Sequence, residues 1–261
     1  MCPYFGSLIV LKGETPRGMV AHVLLIETND GLVLVDTGFG LGDIAEPSRL
    51  GGGFERVARP ALDPAETAIE QVKKLGFSPS DVRHILPTHL DLDHAGGLPD
   101  FPDASVHIFG AELDAVTARA TLNEKNRYRP AHFAHNPKWV RHEVSGERWN
   151  GFEAVRDLEG LPPEILLVPT KGHTRGHVAV AVDDGRGFML HAGDAYFHHA
   201  EMDPERPRCP VGLRIFQRAV AMDDVSRQRN SERLRLLAKE GNVRVFSAHD
   251  PLELDRMREA S

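Results

Sequence analysis

The stretch ILPTHLDLDHAGGLPDF, residues 85–101, constrains this chain more than any other. It sets His89, Asp91, Asp93 and His94 in an H-x-D-x-D-H pattern after an apolar run and closes on a glycine pair. Imidazole and carboxylate are the ligands that suit zinc, iron or manganese. In an extended or tightly turning segment alternate side chains point the same way, so His89, Asp91 and Asp93 converge and a turn brings in His94. So short a run holds two metals only if other segments complete each shell. Those segments exist: TKGHTRGH offers His173, HAGDA offers Asp194 and FSAHD offers His249. Each follows a strand-like run and sits in a loop, where functional residues collect. A lone loop histidine is ordinarily structural; an ordered set of this kind is not. The residues alone do not say which ligands share an ion.

The chain as a whole, 261 residues long, is read as one domain able to bury a sizeable core. SLIVLKG, MVAHVLLIET and LVLVDTG read as strands, the last two joined as a hairpin by Asn29, Asp30 and Gly31. DPAETAIEQVKKLGF reads as a helix with Asp63 as N-cap, Pro64 at the first position, Glu66 completing a capping box and Gly76 as its stop. DVRHILPTH and ASVHIFG are strands, and AELDAVTARATL is a helix. Residues 120–160 are polar with little periodicity and read as a lid or dimerisation insertion. Phe133, Trp139, Trp149 and Phe152 within it suit an acyl pocket or a homodimer contact equally. Strands resume with EILLVPTKGH, HVAVAVDD and GFMLHAGDAYF; a helical zone containing SERLRLLAKEG and the strand VRVFSAHD follow. GLVLVDTG and GFMLHAGD echo one another, which suggests two β-then-α halves and two sheets packed face to face with helices outside.

Composition narrows the partners. The net charge is −7 with both signs mixed along the chain, and no basic stripe of the kind nucleic-acid binding needs is present. No apolar run approaches the ~20 residues of a membrane span. Two cysteines, Cys2 and Cys209, fit a reducing compartment better than a disulfide framework. The expectation is a cytoplasmic protein with a small-molecule substrate.

The motifs THLDLDHAGG, GHTRGH, HAGD and SAHD, in that order and with LVLVDTG before them, resemble the metallo-β-lactamase superfamily. The resemblance spans about residues 8–250. It implies an α/β fold, the four-layer αββα sandwich, with a binuclear metal site. Carried over by position, His89, Asp91 and His173 hold the first metal, Asp93, His94 and His249 the second, and Asp194 bridges. His177, the second histidine of GHTRGH, orients a loop. Asp91 departs from the pattern, which has a histidine there. Three carboxylates instead of two make a metal-bound water less acidic than at a histidine-richer site, where its pKa approaches ~7. They also admit iron or manganese beside zinc, the first choice.

Within that resemblance THLDLDHAGGLPDFP runs closest to the acyl-homoserine-lactone lactonases, and the implied reaction is hydrolysis of a lactone or carboxylic ester by a metal-activated hydroxide. Asp93 orients the nucleophile and takes its proton. Tyr196, two residues after Asp194, matches a tyrosine that assists the carbonyl or leaving group in that branch, at a spacing shorter by one. The alternatives are a glyoxalase-II-like thioesterase, an iron-dependent dioxygenase and an inactive ligand-binding member of the same fold. His22, His84, His107 and His142 are read as structural, His191 as a core residue, and His198 and His199 as neighbours of the site or surface residues.

Overall fold

The structure, a computed structural model, describes residues 18–260; the strand expected at SLIVLKG lies outside them. Asn29 and Asp30 close a hairpin between β1 (Leu24–Thr28) and β2 (Gly31–Val35), which pairs Leu24 with Val35 and Thr28 with Gly31. β2 then pairs in parallel with β3 (Val82–Leu86), β3 with β4 (Ser105–Phe109) and β4 with β5 (Lys138–His142), in the order β1-β2-β3-β4-β5. β6 (Arg148–Trp149) and β7 (Phe152–Glu153) form a small hairpin. The second sheet takes the order β11-β10-β9-β8 from β8 (Ile165–Pro169), β9 (Val178–Asp183), β10 (Phe188–His191) and β11 (Val243–Phe246). Its pairs are antiparallel except β10 with β11. The helices are α1 (Leu41–Ala45), α2 (Gly52–Ala58), α3 (Ala68–Lys74), α4 (Leu92–Ala95), α5 (Gly110–Ala118), α6 (Leu122–Arg127), α7 (Val211–Val220), α8 (Asp224–Lys239) and α9 (Pro251–Ala260).

The central strands are apolar on both faces because the two faces belong to different cores. Val33 and Val35 of β2 and Leu86 of β3 meet Ile165 and Leu167 of β8 and Val178, Val180 and Val182 of β9 between the sheets. Leu32 and Leu34 turn the other way, onto Ile69 and Val72 of α3 and Ala115 of α5. Leu166, Val168, Ala179 and Ala181 turn outward onto Leu234 and Leu237 of α8. The result is the expected αββα sandwich. Burying each Val or Leu contributes about 1.5–3 kcal/mol before the entropy of ordering it.

One expectation needs correction. The helix expected from Asp63 is broken. Asp63 accepts from the Ala65 N–H to cap only a short 3₁₀ turn, Pro64–Glu66, and Thr67, at φ −68° and ψ 149°, restarts the chain as N-cap of α3. The 120–160 segment carries more regular structure than its lack of periodicity suggested. It contains α6, the 3₁₀ turn Pro130–His132, β5 and the β6–β7 hairpin. β5 is the outer strand of the first sheet, registered Val106 to Trp139 and Phe109 to His142. It shows no strong alternation because an edge strand has less to bury. Phe133 and Trp139 pack on the first outer core, and Trp149 and Phe152 belong to the second.

Three neighbouring strands of the first sheet carry a histidine chain. His84 Nδ1 lies 2.9 Å from His107 Nε2, and His107 Nδ1 lies 2.9 Å from His142 Nε2. Burial, helped by His142 and His84, pushes the His107 ring down to about 3, so it is neutral in the fold. A lowered folded-state value contributes stability that is complete above the unfolded value, ~6.5, and lost as pH falls toward the folded one. His107 alone is expected to cost the metal-free protein about 2 kcal/mol between pH 7 and 4.5. In His107→Gln, which keeps a donor and an acceptor, that share of the pH dependence should vanish in denaturant titrations. An equal loss in both proteins would show that His107 is not neutral in the fold.

Candidate metal centre

The motif loops leave the C-terminal ends of β3, β8, β10 and β11, and the sheets bring these ends together. All seven candidate ligands meet there. Asp194 Oδ1 lies 3.2 Å from His94 Nε2 and 3.0 Å from His249 Nε2, and its Oδ2 lies 3.3 Å from His173 Nε2 and 3.8 Å from His89 Nε2. Asp93 sits on the first side, its oxygens 4.0 Å from His94 Nε2 and 3.9 Å from His249 Nε2. Asp91 Oδ2 sits on the other, 3.3 Å from His89 Nε2 and 3.0 Å from His173 Nε2. Asp194 therefore has one oxygen toward each group. Burial alone would raise its carboxyl; the surrounding histidines, His249 first, hold it well below the usual carboxylate range.

The backbone around these side chains explains their aim. Asp36, at φ 61° beyond the end of β2, accepts from the Thr88 N–H (2.7 Å), the Thr88 hydroxyl and His94 Nδ1 (2.8 Å). Having given its proton to Asp36, the Thr88 hydroxyl accepts from His89 Nδ1 at 3.0 Å. His249 Nδ1 donates to the Val20 carbonyl at 2.7 Å. Each of these three rings thus carries its proton on Nδ1 and presents Nε2 to the cluster, the arrangement that orients metal-binding imidazoles. His177 differs. Its Nε2 accepts the Asp194 N–H at 2.9 Å, so it positions the loop and has no lone pair left for an ion. Gly193, at φ +51°, is required beside it, because a Cβ there would come within 2.6 Å of His177 Nε2. Buried Glu112 ties two motif loops together by accepting the N–H groups of Leu90 and Gly176, and it also takes the Tyr128 hydroxyl.

Asp91 occupies the N-cap position of α4, yet its carboxylate caps nothing. It turns to Arg127, whose Nη1 lies 2.6 Å from Asp91 Oδ2 and 3.1 Å from His173 Nε2. Sequence reasoning missed Arg127, Asp36 and Glu112. Asp36 has a signal, an aspartate before Thr-Gly at the end of a buried strand. Arg127 and Glu112 have none, since their partners lie far along the chain.

A cavity of about 770 Å³ opens over the cluster, lined by Asp91, Asp93, Arg127, His173, Asp194 and His249 on its floor. Phe54, Leu92, Phe197, Phe216 and Val220 make its apolar wall, and Asn123 and Asn126 of α6 its polar one. None of the four aromatics expected to line an acyl pocket reaches it. Tyr196 does not reach it either: fully buried in the second outer core, it donates to Glu253 Oε1 at 2.9 Å. His198 Nδ1 accepts from the Ala200 N–H, and His199 pairs with Asp250 at 2.8 Å. Tyr196→Phe is expected to keep kcat/KM within about threefold while costing about 1–3 kcal/mol of stability, because Glu253 loses a buried donor. A fall of ~100-fold or more in kcat/KM would instead restore the tyrosine to the chemistry.

The donor set fits divalent metal. His89 Nε2, His94 Nε2, Asp91 Oδ1 and Asp194 Oδ1 are buried without hydrogen-bond partners. An αββα sandwich with imidazoles and carboxylates gathered at its strand ends defines a class of metal-dependent hydrolases. The sequence pattern of the Metallo-beta-lactamase superfamily matches residues 16–249, and the chain belongs to that superfamily. It is 44% identical over 235 residues to a probable metallo-hydrolase of Mycobacterium tuberculosis, covering 89% of this chain and 75% of that one. It is 25% identical over 250 residues to an N-acyl homoserine lactonase of Rhizobium johnstonii, covering 90% and 84%. Among solved structures, an N-acyl homoserine lactone hydrolase with N-hexanoyl-L-homoserine bound at its catalytic metal centre superposes with a TM-score of 0.68 at 20% identity, covering 100% and 92%. No helix among the described residues is long and apolar enough to cross a membrane.

Proposed function

We propose that this chain is a metal-dependent hydrolase of lactones or carboxylic esters that carry an apolar acyl chain. One observation carries the reading: the apolar wall of Leu92, Phe197 and Phe216 stands directly over the cluster of imidazoles and carboxylates. The lactonase relatives support the choice of substrate class. We assign His89, Asp91 and His173 to one side of the centre, Asp93, His94 and His249 to the other, and Asp194 to the position between them. Zinc is the first choice of ion, with iron or manganese admitted by the third carboxylate. Divalent ions held by these residues would supply an activated water and would polarise the substrate carbonyl. Asp93, on the cavity floor, orients the attacking water and accepts its proton, which it returns to the departing alkoxide as the acyl C–O bond breaks. The products are a carboxylate and an alcohol, joined in one molecule when the substrate is a lactone. The aromatic wall excludes bulk water and holds the acyl chain. We place the activity in the cytoplasm on cysteine usage, Cys209 being a free thiol.

Hydrolysis of N-acyl homoserine lactones, plain lactones, aryl esters and S-acyl glutathione thioesters by zinc-loaded protein tests the reading. Lactones or esters are expected to lead, at kcat/KM of ~10⁴ M⁻¹s⁻¹ or more. Turnover of thioesters alone would transfer the assignment to a thioesterase.

A further inference from the structure

The aspartate that replaces a histidine at position 91 is matched by a cation from the chain itself. Arg127 Nη1 reaches both Asp91 Oδ2, at 2.6 Å, and His173 Nε2, at 3.1 Å. These are two of the three donors assigned to one side of the centre. A metal ion there needs the same lone pairs at ~2.0–2.2 Å. It can take them only if the guanidinium withdraws.

Withdrawal is opposed on several sides. Arg127 is 8% exposed, and its Nη2 donates to the Val220 carbonyl at the end of α7. The next residue, Tyr128, is fully buried and anchored through its hydroxyl to Glu112, the carboxylate that also fixes the Leu90 and Gly176 loops. The arginine is therefore built into the wall by the same contacts that place the motif loops. Its delocalised charge stays protonated at any working pH. Asp91 is committed as well: it stands at an N-cap without capping and spends its Oδ2 on the guanidinium. Among the described residues, no guanidinium or ammonium is wedged between the donors of the opposite side as Arg127 is here. His94 and His249 face Asp194 Oδ1 with Nδ1 protons held by Asp36 and Val20.

We infer that Arg127 takes the place of one ion: the chain binds a single divalent metal tightly at Asp93, His94, Asp194 and His249, and the Arg127 guanidinium is the fixed cation at His89, Asp91 and His173. The centre is then one metal and one guanidinium. Because Arg127 lines the cavity, its fixed positive charge lies beside any carbonyl or carboxylate oxygen that enters. The inference rests on the metal-hydrolase reading above and narrows it.

Metal content and zinc titration test it without reference to activity. Full-length protein is stripped, titrated with zinc against a chromophoric chelator, then dialysed and analysed for zinc per chain. Wild type is expected to keep one zinc, with any second ion at least ~100-fold weaker. Arg127→Met is expected to tighten that second site at least ~10-fold and to retain nearly two. Arg127→Lys, a cation without the planar fork, should fall between them. Two ions bound to wild type with affinities within tenfold would overturn the inference and leave the hydrolase reading intact. So would an Arg127→Met protein with native circular dichroism and an unchanged second affinity. If that variant does not fold, the wild-type stoichiometry decides alone. No zinc uptake by wild type would overturn the metal-hydrolase reading and the inference with it.

Discussion

Asp194→Ala is expected to abolish hydrolysis and to weaken metal binding by more than ~100-fold, beyond what loss of an outer hydrogen-bond partner ordinarily costs. Its carboxylate is the one group in contact range of four histidines, His89, His94, His173 and His249. Without it the carboxylates left beside those rings are Asp93, 3.9–4.0 Å from His249 and His94, and Asp91, which is paired with Arg127. The fold should survive. The backbone N–H of Asp194 keeps its bond to His177, and the side chain contributes to no apolar core. Native circular dichroism with lost metal and lost turnover is therefore the expected pattern. Full turnover at unchanged metal content would remove Asp194 from the centre.

Asp36→Asn is expected to cost about 10–100-fold in metal affinity although residue 36 lies outside the cavity. The wild-type carboxylate only accepts: from the Thr88 N–H, the Thr88 hydroxyl and His94 Nδ1. An asparagine must point its NH₂ at one of these donors. If it faces His94, the ring is driven to the other tautomer and puts N–H where Nε2 should offer a lone pair. If it faces Thr88, a buried backbone donor is left unpaired, at about 1–3 kcal/mol. Nitrogen chemical shifts of His94 separate the two cases, and a zinc titration reads the affinity. Wild-type affinity with an unchanged tautomer would mean that Asp36 does not set the ring.

Much of this was legible in the sequence for one physical reason. A ligand at a strand end needs a buried strand before it, so the same short stretches carry both the fold and the site. DVRHILPTH, EILLVPTKGH and VRVFSAHD are examples, and their strands stand where the apolar runs put them. What escaped was whatever depends on distant partners. Alternation along Leu32–Val35 cannot reveal two cores, because both faces are apolar. β5 hid in a polar segment because an edge strand needs only half a partner set. Two capping residues, Asp63 and Thr67, lie four positions apart, and only the packing of Ile69 and Val72 decides which one starts α3. The pairing of Asp91 with Arg127 was also hidden, because the arginine lies 36 residues away along the chain. Tyr196 looked catalytic by position alone, yet Glu253 holds it in the core.

The strap that carries the last histidine has a consequence for biosynthesis. The Val20 and His22 N–H groups donate to the carbonyls of His249 and Ala248, and His249 Nδ1 returns a bond to Val20. One end of the described chain thus holds the ligand loop near the other. A polypeptide still emerging from the ribosome displays His89, Asp93, His94 and His173 long before residue 249 is available to close the set. Contacts of such long sequence separation form late, because their loop-closure entropy must be met first. On the proposed assignment of His249, growing chains would hold ions more weakly than finished ones, and a stop just short of that residue would leave the motifs translated with their donor set incomplete.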